Sequence, residues 1–279
     1  MFQYAMIKNL ALRRNDALKF DISAFDDYTL HQGFELNRIF GDIAPVSSKS
    51  EVFKILSWQA LPLISRCLSH HRFSKLRSRA FVQEPSLDYW SGINNIPANC
   101  YLSGYWQSEN YFKQSEVAIR EDFSFVIPLS RENQAIADVM AGCNAVSLHV
   151  RRGDYVANAV TNAHHGTCSI AYYESAIKYI TERVTDPIFF IFSDDIDWVK
   201  SHINMTHKAH FIEHNKGKNS YCDMQLMSLC KHHIIANSSF SWWGAWLGSN
   251  PEKIVIAPQQ WFAQSATPDG LIPASWIRL

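Results

Sequence analysis

The chain has 279 residues, 47% of them apolar and 19% charged, enough to bury the core of one large domain or two modest ones. Its 26 Lys and Arg match its 26 Asp and Glu, so no net field draws it to nucleic acid or to an anionic membrane, and any anion site must come from local arrangement. No run of about 18 apolar residues and no signal peptide is present, so the expectation is a cytoplasmic protein without an integral membrane segment.

From the N-terminus, Phe2, Ala5, Met6 and Leu10 recur at helical spacing, and Leu18 to Ile22 alternate like a strand. Residues 33–97 are mixed and aromatic, with helix expected over much of Val52–Leu68. Tyr101 to Gln107 reads as a strand entering a loop marked by Gly104. The pattern then becomes regular. Ala145–Val150 is predicted as a buried strand. Ile170, Tyr173, Ile177, Ile180 and Val184 form a helical stripe after Ser169, a fitting N-cap. Pro187–Phe192 is a continuously apolar strand, followed by a short helix through Trp198 and a strand at Ala209–Glu213. Ser220–Lys231 is predicted helical, His232–Ala236 extended, Ser239–Leu247 helical and Lys253–Ala257 extended. Strands alternating with helices at this spacing predict a parallel, doubly wound sheet. Two α/β lobes are expected, residues 1–140 and 141–279, with the cleft between them as the default site.

Chemistry concentrates at predicted strand ends. Arg151 and Arg152 follow the strand Ala145–Val150, and in an open α/β sheet the carboxyl edge is where ligands bind. Arginines there can clamp an anion bidentately; an exposed pair beside Asp154 is the bland alternative. Asn237-Ser238-Ser239 sits where a strand hands over to a helix, so free amides, the helix dipole and serine hydroxyls converge as an anion cradle. Ordinary N-capping by serine explains the same residues. Asp223 stands three residues after Ser220, a capping signature, while a carboxylate there can also accept two hydrogen bonds from a guanine edge. Asp194 and Asp195 end another strand. They could hold a metal, but a helix N-terminus and a loop anchor are the preferred reading. The six cysteines are scattered and expected as free thiols. Cys222, Cys230, His232 and His233 match no common zinc spacing, so no metal site is expected.

The segments His149-Val150-Arg151-Arg152-Gly153-Asp154-Tyr155, Phe192-Ser193-Asp194-Asp195 and Asn237 to Gly244 resemble the three ordered motifs of the α1,2-fucosyltransferases. Gly104 to Phe112 resembles a segment of the bacterial members. The resemblance implies a GT-B fold of two Rossmann-like lobes facing across a cleft. It implies GDP-β-L-fucose as donor, inversion to an α1,2 linkage on the 2-hydroxyl of a terminal β-galactoside, and no cofactor or metal. The donor-side residues it implies are His149, Arg151, Arg152, Asp194, Asp223, Asn237, Ser238 and Ser239. Arg151 falls where relatives grip the β-phosphate, and Asp223 precedes Ser239 by the interval at which the guanine-reading aspartate of α1,6 relatives precedes a phosphate-binding serine. Tyr105, Trp106 and Gln107 are placed on the acceptor side, with the tryptophan-rich segment helping to shape the acceptor cleft. The base of α1,6 relatives has no counterpart, since its position falls at Ala159; Asp154, His164 and His165 are the candidates, with Arg151 and Asp154 as the catalytic pair.

Members of that family usually begin with a strand and a Gly-Gly-x-Gly-Asn-Gln loop before Met-Phe-Gln-Tyr-Ala. This chain begins Met1-Phe2-Gln3-Tyr4-Ala5, so a truncated reading and an N-terminal lobe lacking its first strand are expected. The expected partners are GDP-fucose and a β-galactoside-terminated glycan, with no nucleic acid, and peripheral association with lipid-linked glycan at the inner face of the membrane is compatible with them. The rival readings are a decayed GDP-sugar-binding or interaction protein and a glycosyltransferase using another GDP-sugar.

Overall fold

Phe2–Arg14 form the first helix, α1, which buries Phe2, Tyr4, Met6 and Leu10 and stops at Asn15, whose φ of 55° is the left-handed conformation that asparagine tolerates. The computed structural model describes residues 1–25, 32–68 and 70–279. The expected strand at Leu18–Ile22 is reduced to one bridge, Phe20 to Val46. Phe20 pairs with the carbonyl of Pro45 and the amide of Ser47, and the proline has no N–H with which to extend the ladder. After α2 (Leu36–Phe40), the helix expected over Val52–Leu68 is broken in two. α3 (Lys49–Leu56) opens on a complete capping box of Ser48 and Glu51 and ends where Ser57 takes a φ of 54°. A 3-10 turn at Ser57–Ala60 leads into α4 (Pro62–Leu68).

β1 (Phe81–Gln83) and β2 (Tyr101–Ser103) form a two-stranded parallel ladder with Phe81 opposite Tyr101. α5 (Glu116–Asp122) completes this compact unit, residues 1–126 with 268–273. Tyr4 donates to Asp122 at 2.6 Å and Asn9 to the carbonyl of Tyr111 at 2.8 Å, tying α1 to α5 and its approach.

The second unit is residues 127–267 with 274–279. The change falls at 126/127 and not near 140, because α6 (Arg131–Ala141) packs with the second unit's core through Ala137 and Met140. Its elements follow as β3 (Asn144–Val150), α7 (Gly153–Ala157), α8 (Ala159–His165), α9 (Ile170–Thr181), β4 (Pro187–Ser193), α10 (Ile196–His202) and β5 (Ala209–Ile212). Then come α11 (Tyr221–Leu229), β6 (His232–Ile234), α12 (Ser239–Leu247), β7 (Val255–Ala257) and β8 (Ile277–Arg278). All six strands are parallel, in the order β5-β4-β3-β6-β7-β8, so the direction of travel reverses between β3 and β6. The α/β class with parallel sheets is as expected, and the regular sheet belongs to the second unit.

Alternation along β3 sorts its two faces. Val146, Leu148 and Val150 join Tyr173, Ile177 and Ile180 of α9 in one core, whereas Ala145 joins Phe190, Phe192 and Leu226 in the other. α9 is capped by Ser169, which accepts from the Tyr172 amide at 3.1 Å. The tryptophans of α12 do not shape a cleft, contrary to expectation. Trp242, Trp243 and Trp246 are buried with Trp276, whose ring lies 5.3 Å from that of Trp242. Among the described residues no helix is long and apolar enough to cross a membrane.

The far end of α12 is closed by Lys253, whose Nζ donates to the carbonyls of Ala245, Trp246 and Gly248 at 2.7 to 3.1 Å. A cation there satisfies orphan carbonyls and opposes the negative helix end. Lys253→Met should therefore cost about 1–3 kcal/mol, read as a fall in melting temperature of several degrees. An unchanged melting temperature would mean that water replaces the ammonium without loss.

Candidate functional site

β3 delivers Arg151 to the carboxyl edge, and β4 delivers Asp194 beside it. Arg151 Nη1 lies 3.1 Å from Asp194 Oδ2, and its guanidinium stands 5.6 Å from the centre of the Tyr155 ring. Asp194 also accepts from the Arg152 amide at 2.8 Å, so its carboxylate holds the start of the loop as well as the side chain. Gly153 makes this possible, because a Cβ there would lie 2.6 Å from Asp194 Oδ2. Arg152 turns the other way. Its guanidinium covers the Trp198 ring at 3.8 Å and its Nε reaches Asp195 at 3.4 Å, while Asp195 caps α10 by accepting from the Trp198 amide. Asp194 and Asp195 are thus a brace and a cap, and among the described residues no three His, Cys, Asp or Glu converge as a metal site.

His149 is the last inward residue of β3 on the α12 side, with its ring 5.8 Å from Phe240. It is buried, and its Nδ1 has no hydrogen-bond partner among the described residues. Burial, and next the charge of Arg151, bring its pKa down to about 3, so the ring is neutral at pH 7.

On the other side of the reversal, β6 runs into Asn237-Ser238-Ser239. Asn237 is a brace whose Nδ2 donates to the carbonyls of His165 at 2.9 Å and Trp261 at 3.1 Å. Ser238 is the N-cap of α12, accepting from the Phe240 amide at 3.3 Å. Ser239 opens the helix and is exposed. The two strand ends are linked directly, since Tyr155 donates to the Asn237 carbonyl at 3.2 Å. An arginine aimed by a carboxylate and an exposed helix N-terminus therefore flank the same reversal, an arrangement that can receive a diphosphate.

Asp223, in the first turn of α11, does not cap its helix with Ser220, whose side chain makes no capping bond. Its Oδ1 accepts from Asn215 Nδ2 at 2.9 Å, and Asn215 in turn bonds Asn133. Burial raises the carboxyl to about 7, with the Asn215 bond opposing. Asn133 and Asn215 escaped sequence reading because asparagines in loops carry no spacing signal.

His164 and His165 stand 4.7 Å apart edge to face, and His165 stacks on Tyr155 at 4.8 Å. The side chain of Asp154 lies outside the described residues, as does that of Ala159.

In the first unit, Tyr105, Trp106 and Gln107 separate. Trp106 is 1% exposed and packs edge-on against Tyr111 at 5.5 Å, so it is core and offers a glycan no surface. Tyr105 is 65% exposed and Gln107 is half-buried. The loop owes its shape to Glu84, which sequence reading missed. Its buried carboxylate accepts from the amides of Tyr105 at 2.6 Å and Trp106 at 3.0 Å. Burial pushes the Glu84 carboxyl upward, and these bonds pull it back. Trp106 is held at a φ of 57°, a conformation that persists only where neighbours enforce it. Gly104 admits the carboxylate, because a Cβ there would lie 2.7 Å from Glu84 Oε2.

Known glycosyltransferases share sequence with this chain over most of its length. The family model described as glycosyl transferase family 11 matches residues 70–277. An α-1,2-colitosyltransferase of Escherichia coli is 37% identical over the whole of this chain and 94% of its own length. The O-antigen biosynthesis glycosyltransferase WbnK of Escherichia coli is 30% identical over the whole chain and 96% of its own length. The galactoside 2-α-L-fucosyltransferase SEC1 of Bos taurus is 27% identical over 52% of this chain and 41% of its own length. The chain belongs to glycosyl transferase family 11.

Glu84→Gln keeps one acceptor oxygen but turns an NH2 group toward a backbone N–H. It should destabilise the first unit by about 1–3 kcal/mol, and Gly104→Ala should cost at least as much by forcing the carboxylate aside. Both are read in thermal unfolding, and a wild-type curve for either variant would remove Glu84 from its role in shaping the loop.

Proposed function

We propose, for this member of glycosyl transferase family 11, that it transfers L-fucose from GDP-β-L-fucose, with inversion, to the 2-hydroxyl of a terminal β-galactoside. The observation that carries the reading is the pairing of Arg151 with the Ser238–Ser239 helix end across the reversal of strand order. In this reading the reaction needs charge stabilisation at the leaving diphosphate more than it needs a strong base. Arg151, released toward the ligand from its contact with Asp194, meets the β-phosphate, while the amides and hydroxyl of the α12 terminus meet the other oxygens. Neutral His149, with an enclosed Nδ1, can donate there without adding charge. Asp223 reads guanine by accepting from N1 and N2. The fucosyl centre passes through an oxocarbenium-like state, so a developing phosphate oxygen or Asp154 suffices to take the acceptor proton. Tyr105 and Gln107 belong to the acceptor side. No cofactor or metal enters the reaction.

A second reading is favoured by one relative. Colitose is 3-deoxy-L-fucose, and the relative at 37% identity carries a colitosyl name. The two readings differ in one donor hydroxyl and share all the diphosphate chemistry. Incubation with GDP-fucose or GDP-colitose and a panel of β-galactosides, with and without EDTA, separates them. EDTA-resistant transfer of fucose to the 2-hydroxyl is the expected result. Preference for GDP-colitose selects the second reading, and binding of either donor without turnover indicates a non-catalytic protein.

Arg151→Lys should lower turnover by about 100-fold or more, since a point charge replaces a planar fork where phosphate charge develops. Retained turnover in a folded lysine variant would place the clamp elsewhere.

The raised carboxyl of Asp223 sets a pH dependence. Its folded value near 7 exceeds the ordinary value of 3.8, so the folded protein holds this proton more tightly than the unfolded chain. Stability from this group therefore falls as pH rises from about 4 to about 7, and Asp223→Asn should gain stability relative to wild type over that window. Accepting two guanine N–H groups requires the ionised form, so wild-type GDP affinity should rise about tenfold between pH 6 and 8. Asp223→Asn should abolish that rise and weaken GDP roughly 10- to 100-fold at pH 8, leaving pyrophosphate affinity unchanged. Calorimetry at the two pH values decides it, and equal GDP affinity in both proteins would confine Asp223 to its bond with Asn215.

A further inference from the structure

The chain's charge balance conceals a local excess. Between Lys49 and Arg79 lie seven of its 26 Lys and Arg but one of its 26 acids, Glu51, which is engaged by Lys19. In the structure α3, the 3-10 turn Ser57–Ala60, α4 and a second 3-10 turn at His71–Leu76 pack on one another in sequence. Buried Gln59 closes the group, donating to the Leu76 carbonyl at 3.2 Å and accepting from the Ser78 amide at 3.1 Å. Arg77 reaches back to the carbonyl of Leu68 at 2.7 Å. Leu56 and Leu68 point inward and are buried.

Much of the rest of the group's apolar surface points outward. Phe53, Trp58, Leu61, Leu63, Phe73 and Leu76 are 42% to 80% exposed. Trp58 is 53% exposed, whereas Trp106, Trp242, Trp243, Trp246, Trp261 and Trp276 are buried. Interleaved with these residues are Lys49, Lys54, Arg66, Arg72, Lys75 and Arg79, all exposed and none in an ion pair among the described residues. A cluster of this kind is unusual on a monomer in water, where large apolar side chains are normally scattered singly.

We infer that the face built by α3, α4 and their 3-10 turns docks on an anionic lipid bilayer. Tryptophan, phenylalanine and leucine ringed by long cationic side chains match an interface whose apolar boundary lies just beneath a layer of phosphates. The unpaired positive charge selects an anionic surface, and its concentration on short consecutive elements lets many cations meet headgroups together. The inference goes beyond the donor chemistry above and does not rest on it.

The test uses the full chain with phosphatidylcholine vesicles, with or without phosphatidylglycerol, in a sedimentation assay. Binding is expected to vesicles containing phosphatidylglycerol, with little to pure phosphatidylcholine, and should be lost in high salt. Reversing three charges (Lys54→Glu, Arg66→Glu, Lys75→Glu) should reduce partitioning about 100-fold. The pair Trp58→Ser and Leu63→Ser should reduce it about tenfold. All five positions are exposed, so melting curves and GDP affinity should match wild type and certify that the variants are folded. Absence of binding, equal binding to neutral and anionic vesicles, or partitioning untouched by either set of substitutions would overturn the inference. So would a dimer that Trp58→Ser and Leu63→Ser dissolve while vesicles go unbound, since the face would then belong to a second copy.

Discussion

The reversal of strand order between β3 and β6 is the constraint on which the candidate site depends. In a parallel sheet each strand needs a long crossover back to its start, and crossovers leaving two adjacent strands in opposite directions open a crevice at their carboxyl ends. Chain from the end of β3 and chain from the end of β6 both enter that region, one bearing Arg151 and the other the N-terminus of α12. The hydrogen bond from Tyr155 to the Asn237 carbonyl joins the two, so neither can move far without the other. Alternation along β3 adds a further restriction. It places the aliphatic Val146, Leu148 and Val150 against α9 and leaves His149 on the side of α12.

Three carboxylates illustrate how partners decide what an acid can do. Asp194 faces a guanidinium and a backbone amide and serves to aim Arg151. Glu84 faces two backbone amides and shapes a loop, although burial pushes its carboxyl upward. Asp223 has a neutral amide partner in Asn215, and burial carries its carboxyl to about 7. A partly buried acid of that kind is stabilised by a ligand that brings N–H donors, which is the physical basis for assigning it to guanine in the proposed reaction.

The second unit was legible because burial on both faces leaves strands as short apolar runs, and because its helices begin at recognisable caps. Ser169 and the boundaries of α12 fall where spacing placed them. The first unit resisted for a physical reason. Its strands are three residues long, its helices after α1 have eight residues or fewer, and Ser57 and Trp106 break regular structure with positive φ angles that their residue types do not advertise. Legibility of the site was also uneven. The spacing put Arg151 at the end of β3, Asp223 in the first turn of α11 and Ser238 at the cap of α12, where they stand, but the tryptophans of α12 and Trp106, expected to shape an acceptor cleft, are core. Asn237 and Glu84 brace backbone groups and Asn215 braces the side chains of Asn133 and Asp223, and such pairings are invisible until the chain is folded.

Net charge is a poor guide for the same reason. Screening confines the field of an exposed charge to about 8–10 Å at moderate ionic strength, so a surface responds to its neighbours and not to the sum over the chain. A total of zero is compatible with a region where six exposed cations are interleaved along the chain with six exposed apolar side chains. Those residues fall on short elements whose interiors are closed by Gln59, Arg77, Leu56 and Leu68, so the outward groups are not needed to fold the segment. A fold that can bury a leucine and instead presents Leu63 at 80% exposure, beside unpaired cations, is organised for contact with something apolar and negative at once. Of the surfaces with that chemistry, a bilayer supplies both properties in layers at the depth of one side chain.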